Sequence, residues 1–289
     1  MNPANGITPA IQIDVRIDKE TVLPGRVWCA ERPRALIAVV HGLGEHSGRY
    51  AALADALVAR RFSVVSLDLP GHGEAGGPRG DYASWTDVRD RVVPAMFTVT
   101  RGMPGQPSDL PVVLLGHSMG GVMALDYALA HPRTLLGVVA SAPALRDAVP
   151  PPALKVALGR LVGTVSPTAG FPHGLEEAAM SRDPEVLAAR RSDPLLHNRI
   201  SPRTFFALTE ARTRVMEQAR RLQVPALVLV PAADRVADSK GGLEFTGAAP
   251  HELVRMLSYK DAYHEIFNDP ARDVAIRDLV GWLDAIVVV

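Results

Sequence analysis

A serine flanked by glycines lies in the segment VVLLGHSMGG, at residues 112–121. Gly116, Ser118 and Gly120 fit the pattern Gly-x-Ser-x-Gly, in which a nucleophilic serine stands at a sharp strand-to-helix turn. An apolar run precedes the motif and a helical pattern follows it, as that turn requires. Glycines two positions away on each side leave room for the neighbouring strand and helix. Ser118 is therefore the candidate nucleophile, and the helix that follows it favours developing negative charge.

A serine hydroxyl is a poor nucleophile until a base takes its proton, and nine histidines are candidates. In hydrolases with this turn the chain order is serine, then acid, then histidine. His264 fits because it lies in the loop YKDAYHEIFND, after the last predicted strand and before the terminal helix. His251 is the rival, but it opens a strand rather than following one. We predict that His264 is the base.

The acid that orients this base is expected after a strand, between the serine and the histidine. The segment PALVLVPAAD ends at Asp234 in that place, where the carboxylate would accept a hydrogen bond from His264. Asp238, four residues later, is expected to cap the next helix. Asp147 is the alternative acid, because the neighbouring strand ends just before it.

The tetrahedral intermediate of acyl transfer carries an oxyanion that needs two hydrogen-bond donors. One is expected to be the backbone N–H of Met119, directly after the nucleophile. The other is expected in the loop HGLGEH, residues 41–46, where Gly42 and Gly44 let the backbone approach a substrate. We assign it to the N–H of Leu43.

The surrounding pattern alternates buried strands with amphipathic helices, which predicts an α/β fold with a doubly wound, mostly parallel sheet and an antiparallel N-terminal edge. Strands are predicted at 11–17, 26–30, 34–42, 62–68, 111–117, 135–143, 225–231 and 251–257, and helices at 49–60, 84–101, 119–130, 203–222 and 270–287.

About eighty residues between Pro143 and Val224 carry no strand signal. A structureless loop of that length is implausible in a compact domain, so we predict a helical cap inserted at 145–203, with the core formed by 1–144 and 204–289. Within the cap, Leu154, Leu158, Leu161 and Val165 fall near one face of a predicted helix, which would either pack on the core, line an acyl-chain tunnel or rest on lipid.

Composition limits the classes of function. The 289 residues contain 31 Lys and Arg and 31 Asp and Glu, so the formal net charge is zero, without the basic excess of a nucleic-acid-binding protein. The one cysteine, Cys29, excludes an intrachain disulfide and a cysteine-based zinc site. We see no secretory signal and no apolar run of bilayer-spanning length, and therefore expect a cytoplasmic location.

Five segments stand together in an order and spacing that resemble the monoacylglycerol lipase and lysophospholipase family of serine α/β-hydrolases. They are HGLGEHSGRY (41–50), DLPGHGEAGGPRG (68–80), GHSMGG (116–121), ADRVADSKG (233–241) and YHEIFND (263–269). The resemblance implies the α/β-hydrolase fold, with an eight-stranded, mostly parallel sheet flanked by helices and a variable cap. It places Ser118, Asp234 and His264 at the positions of a catalytic triad, and Leu43 and Met119 at the oxyanion hole.

The expected activity is that of a serine ester hydrolase acting on monoacylglycerols, lysophospholipids or shorter acyl esters, with no metal and no organic cofactor. The expected partner is a small acyl ester or lipid, with no nucleic acid and at most weak peripheral membrane contact through the cap. The alternatives are a general short-chain carboxylesterase, an acyltransferase, an amidase or peptidase with the same triad, and a non-catalytic ligand-binding relative. Fold alone does not decide among these chemistries.

Overall fold

A central sheet of eight strands organises the protein in a computed structural model that describes residues 9–287. Residues 1–8 and 288–289, the outer ends of the predicted core ranges, lie outside the described residues. The strands are β1 (Ile11–Arg16), β2 (Val22–Trp28), β3 (Ala35–Val40), β4 (Phe62–Leu67), β5 (Val112–His117), β6 (Gly137–Ser141), β7 (Phe171–Pro172), β8 (Arg199–Ile200), β9 (Ala226–Pro231) and β10 (Val254–Tyr259).

Across the sheet the order is β1-β2-β4-β3-β5-β6-β9-β10, and β7 and β8 form a separate two-stranded pair. β1 and β2 are antiparallel, β2 is antiparallel to β4, and the strands β4, β3, β5, β6, β9 and β10 run parallel to one another. Parallel neighbours bring their carboxyl ends to one edge, where ligands of such sheets bind. The predicted α/β-hydrolase fold, with its mostly parallel sheet and antiparallel N-terminal edge, is confirmed.

Helices cover both faces of this sheet. They are α1 (Ala51–Val58), α2 (Trp85–Asp87), α3 (Val93–Arg101), α4 (Met119–Ala130), α5 (Ala153–Val165), α6 (Pro184–Ser192), α7 (Pro202–Gln218), α8 (Ser239–Ala248) and α9 (Arg272–Ile286). Every residue of β3, β4, β5 and β9 is buried, which is why these strands read as unbroken apolar runs. Burial of each large apolar side chain there contributes roughly 1.5–3 kcal/mol.

Three predicted elements differ clearly from the structure for identifiable reasons. The second strand, predicted at 26–30, instead covers Val22–Trp28, because Pro24 and Gly25 interrupt its apolar pattern. The helix predicted at 84–101 is interrupted by a wider π-type turn, Val88–Val92, in which the Val93 N–H donates to the Val88 carbonyl. Pro94 follows and has no N–H to continue the ordinary ladder. The last strand, predicted at 251–257, begins instead at Val254, because Pro250 starts a turn closed by the Leu253 N–H.

The segment 145–203 adds no strand to the eight-stranded sheet. It contains α5, the β7–β8 pair, α6 and the first residues of α7. The sequence had indicated no strand here, and the pair is too short to produce an alternating pattern. It lies over the loops at the carboxyl edge: the Ser201 N–H donates to the Gly80 carbonyl at 3.0 Å. Within the described part of the chain, no helix has both the length and the apolar character needed to span a bilayer.

Candidate active site

Ser118 stands at the turn between β5 and α4, with φ 55° and ψ −117°. This left-handed conformation is strained for a residue with a side chain, typically by about 1–3 kcal/mol. The turn is held by the Ser118 N–H, which donates to the Ser141 carbonyl at 2.9 Å, and by the Gly121 N–H, which donates to the Ser118 carbonyl at 2.9 Å. Surrounding backbone therefore fixes the serine at the carboxyl edge of the sheet.

The two glycines around the serine mark close approaches of backbone to backbone. A Cβ on Gly116 would lie 1.9 Å from the Gly120 carbonyl oxygen, and a Cβ on Gly120 would lie 2.1 Å from the Val40 carbonyl oxygen. No side chain fits at either position, because backbone cannot move aside as a flexible side chain can. The Gly-x-Ser-x-Gly pattern thus has a steric cause in this chain.

Asp234 follows β9 and His264 follows β10, so adjacent parallel strands deliver both side chains to the same edge. Asp234 Oδ2 lies 2.8 Å from His264 Nδ1. Asp234 Oδ1 accepts from the N–H groups of Val236 at 2.8 Å and Ala237 at 3.0 Å. The carboxylate is therefore fixed on one oxygen and orients the imidazole with the other, which leaves Nε2 of His264 as the nitrogen that can accept a proton.

The electrostatic surroundings of His264 favour its protonated form. Burial alone would lower the pKa of His264, but the charge and hydrogen bond of Asp234 outweigh it, and Glu265 and Glu45 act in the same direction. The net result is a pKa of His264 above its ordinary value. A base with this environment is well matched to take a proton from a serine hydroxyl near neutral pH.

Among the described residues no direct hydrogen bond joins Ser118 to His264, although His117, the residue before Ser118, packs against His264. The His117 ring packs against the His264 ring with centroids 4.8 Å apart. Among the hydrogen bonds of the described residues, one joins Asp234 to His264 and none joins Ser118 to His264. The structure therefore shows the acid–histidine pair of the candidate site but not a hydrogen bond between the candidate nucleophile and that histidine.

The predicted oxyanion donors lie beside the serine. Met119 is the first residue of α4, and a Cβ on Gly42 would lie 3.3 Å from the Ser118 Cβ, so the loop that carries Leu43 packs against Ser118. Gly44 has φ 75° and accepts at its carbonyl from the His197 N–H at 3.1 Å. The loop after β3 is thus held between the serine and segment 145–203.

The alternative residues have other contacts. Asp147 is paired with Arg212 through two hydrogen bonds of 3.0 and 2.8 Å. Asp238 accepts from the Lys240 N–H at 3.0 Å and caps α8, as expected. His251 is exposed in the turn before β10. The structure therefore places Asp234, and neither alternative, against His264.

Sequence reasoning assigned no role to three buried polar residues at this site. His117 packs on His264, and its Nε2 lies 3.6 Å from Glu45 Oε1. Glu265, next to His264, is paired with two arginines. Burial, with the neighbouring His264, lowers the pKa of His117. Only position could have indicated them, since Glu45 and Glu265 stand within segments already identified as functional.

Comparison with known proteins places the chain in a family. Residues 31–271 match the family described as "Serine aminopeptidase, S33". The chain belongs to this S33 hydrolase family.

Relatives of this S33 hydrolase include a monoacylglycerol lipase from Mycolicibacterium smegmatis, 32% identical over 89% of this chain and 91% of the relative. The human monoglyceride lipase is 34% identical over 82% of this chain and 77% of its own length. A solved monoacylglycerol lipase structure from Paleococcus ferrophilus aligns with a TM-score of 0.83 at 32% identity, covering 91% of this chain and 99% of that one. The resemblance predicted from the five motif segments is confirmed.

Proposed function

We propose that this S33 hydrolase is a serine carboxylester hydrolase that cleaves monoacylglycerols or lysophospholipids through an acyl-enzyme on Ser118. The observation that carries the proposal is the buried Asp234–His264 hydrogen bond at the sheet edge where the strained Ser118 stands. Similarity to relatives named as monoacylglycerol lipases supports the substrate class.

In the proposed mechanism, Nε2 of His264 takes the Ser118 hydroxyl proton as Oγ attacks the ester carbonyl. Asp234 stabilises the resulting imidazolium, and the backbone N–H groups of Leu43 and Met119 stabilise the oxyanion. His264 then protonates the leaving alcohol, and the acyl group remains on Oγ. Water, deprotonated by the same histidine, releases the fatty acid and regenerates the serine.

Hydrolysis and covalent labelling test this proposal directly. We expect a fluorophosphonate probe to label the wild-type protein and not Ser118→Ala, and His264→Ala to lose at least a thousandfold of the hydrolysis rate. Substrates should include monoacylglycerol, lysophosphatidylcholine and a series of p-nitrophenyl esters. Undiminished hydrolysis by Ser118→Ala would overturn the mechanism, and activity confined to the shortest esters would identify a general carboxylesterase instead.

Aminopeptidase activity is the second candidate, because the matched family carries that description. Such an enzyme needs an acidic group that can receive the free amino terminus of a peptide. The buried carboxylates near His264 are already engaged, since Glu45 lies by His117 and Tyr50 and Glu265 is held by two arginines. These pairings favour an ester substrate, and hydrolysis of amino-acid p-nitroanilides faster than of p-nitrophenyl esters would reverse that preference.

The segment 145–203 is proposed to be a cap that meets lipid. On α5, Leu154, Leu158, Leu161 and Val165 are 58–84% exposed, so the apolar face predicted from the sequence is not buried against the core. The opposite side of α5 is anchored to α7, where the Arg160 guanidinium lies 5.2 Å from the Phe206 ring. An exposed apolar face on a helix above the site suits reversible contact with a lipid surface.

Liposome co-sedimentation tests this contact. We expect the wild-type protein to sediment with phosphatidylcholine vesicles and Leu154→Ser/Leu161→Ser to remain in solution. Leu243→Ser provides a control, because Leu243 on α8 is similarly exposed, at 57%, but lies outside the cap. Equal partitioning of the wild-type protein with and without vesicles would contradict membrane contact.

A further inference from the structure

The residue after the candidate base carries an ion pair with two partners. Glu265 is buried, and its two carboxylate oxygens accept from different arginines: Arg49, in the turn Ser47–Tyr50 of the core, and Arg190, on α6 within segment 145–203. The side chains of Glu265, Arg49 and Arg190 are only 2%, 9% and 14% exposed. The charges are thus removed from water together.

The backbone of the loop that carries His264 and Glu265 is also hydrogen-bonded to the proposed cap. The Glu265 N–H donates to the Met180 carbonyl at 2.8 Å, and the His264 N–H donates to the Ala179 carbonyl at 3.4 Å. Further along, Ser181 Oγ donates to the Asn268 carbonyl at 2.8 Å. Residues 179–190 of the proposed cap therefore hold the loop that carries His264 by its backbone and through Glu265.

A buried carboxylate is stable only when charged partners compensate its lost hydration. Burial raises the pKa of Glu265, but Arg49 and Arg190 outweigh it and hold that pKa below the ordinary value. Glu265 is therefore ionised at neutral pH, and its charge is one of those that raise the pKa of His264. The titratable and charged groups that act on His264 and Glu265 include Asp234, Glu45, His117, Arg49 and Arg190.

We propose that Arg190 is a positioning residue for catalysis, which acts through Glu265 to hold the His264 imidazole in its working placement. The proposal rests on the proposed role of His264 as the base. The cap would then contribute to the reaction itself and not only to substrate capture. Arg190 acts on the imidazole through the Glu265 carboxylate. Loss of Arg190 leaves the negative charge of Glu265 less compensated, which raises the pKa of His264. Loss of Glu265 removes that negative charge and lowers the pKa of His264.

The test uses p-nitrophenyl acetate, whose acyl group is too short to need an apolar surface on the cap. We expect Arg190→Gln to lower kcat about tenfold with little change in KM, because a displaced imidazole weakens the transition state and not substrate binding. The acid limb of kcat/KM should move to higher pH in Arg190→Gln and to lower pH in Glu265→Gln, by about half a pH unit or more. Arg190→Lys should restore most of the rate, because it keeps the charge.

Arg191→Gln is the matched control, since Arg191 lies next to Arg190 on α6 but pairs with Glu177 inside the cap and is 64% exposed. It should keep the wild-type rate and profile. Two outcomes would overturn the inference. One is an Arg190→Gln protein with the same rate and pH profile as Arg191→Gln. The other is an acid limb that moves in the same direction in Arg190→Gln and Glu265→Gln. If Arg190→Gln does not fold, a wild-type profile and one-tenth of the rate in Arg190→Lys would also overturn it. An inactive wild-type protein would instead refute the proposed function.

Discussion

At the scale of single residues, the backbone around Ser118 leaves no space for larger side chains at the flanking glycines. Ser118 adopts a left-handed conformation. A Cβ added to Gly116 or to Gly120 would lie only 1.9 or 2.1 Å from a backbone carbonyl oxygen. The strain at the serine persists because β5 and α4 hold both sides of the turn.

Gly120→Ala is expected to destabilise the fold severely or to prevent it, because the added methyl would lie 2.1 Å from the Val40 carbonyl oxygen. Gly281→Ala is the control: this glycine is exposed within α9, a Cβ there meets nothing within 4 Å, and the change should stabilise the protein by about 1 kcal/mol. Thermal unfolding monitored by circular dichroism measures both. A Gly120→Ala protein as stable as the wild type would contradict this steric account.

The placement of the candidate site residues was predictable from sequence where it depends on a local pattern or on chain order. Ser118 is given by its flanking glycines, and Asp234 and His264 by their places after successive strands. Glu265 was not predictable in the same way, because its partners Arg49 and Arg190 lie 216 and 75 positions away. Pairings at such separations depend on how segment 145–203 packs on the rest of the chain, which no local pattern encodes.

At the scale of elements, four histidines meet where the β7–β8 pair lies on the core loops. His41 and His72 come from the core, and His173 and His197 flank β7 and β8. The His72 ring lies 5.2 Å from that of His41 and 4.8 Å from that of His197. Burial lowers the pKa of His41, His173 and His197 to about 4, and that of His72 well below its ordinary value. These histidines are therefore neutral in the folded protein.

We expect stability to fall as the pH drops from 6.5 towards 4. In this window these histidines become protonated in the unfolded chain but stay neutral in the folded one. A fully buried histidine such as His41 therefore lowers the free energy of unfolding by about 1.4 kcal/mol for each pH unit. His197→Gln should flatten this dependence, whereas the exposed His251→Gln should leave it unchanged. Melting temperatures between pH 7 and 5, where most carboxylates stay ionised, provide the measurement; a slope unaffected by His197→Gln would exclude this cause.

Most elements were predictable because their apolar patterns are strong. The buried strands β3, β4, β5 and β9 appear as continuous apolar runs, and α4 and α9 as helical patterns between them. The β7–β8 pair was not, because two residues per strand carry no alternation and the pair depends on contacts with the core. The π-type turn before Pro94 was likewise masked by a sequence that continues to look helical.

At the scale of the whole molecule, a buried carboxylate joins three helical regions on one face of the sheet. Asp126 on α4 accepts from Trp85 Nε1 of α2 at 2.9 Å and from Arg214 of α7 at 2.7 and 2.8 Å. Arg89 also reaches it, at 3.3 Å. Since α7 returns the chain from the proposed cap to the sheet, this network fixes the C-terminal half of that helix against α4.

Asp126→Asn is expected to lower the free energy of unfolding by about 2 kcal/mol, because it removes the buried charge that pairs with two partly exposed arginines. Catalytic rates should stay at the wild-type value, since Asp126 lies on the far part of α4 from Ser118. Asp284→Asn, in the exposed pair with Arg34, should change stability by less than about 1 kcal/mol. Urea titration compares them; equal effects of the two substitutions would show that burial does not control the loss.

The backbone hydrogen bonds from His197 to Gly44 and from Ser201 to Gly80 have a consequence for protein engineering. A Cβ on Gly44 would lie 2.2 Å from the His197 carbonyl oxygen, and one on Gly80 would lie 2.0 Å from the Arg199 carbonyl oxygen. A chimera that grafts a foreign lid onto this scaffold must therefore reproduce the main-chain path at 197–201, whatever side chains it brings. Without that path the graft would not contact the glycine loops, and the loop that carries Leu43, the proposed oxyanion donor, would lose its support.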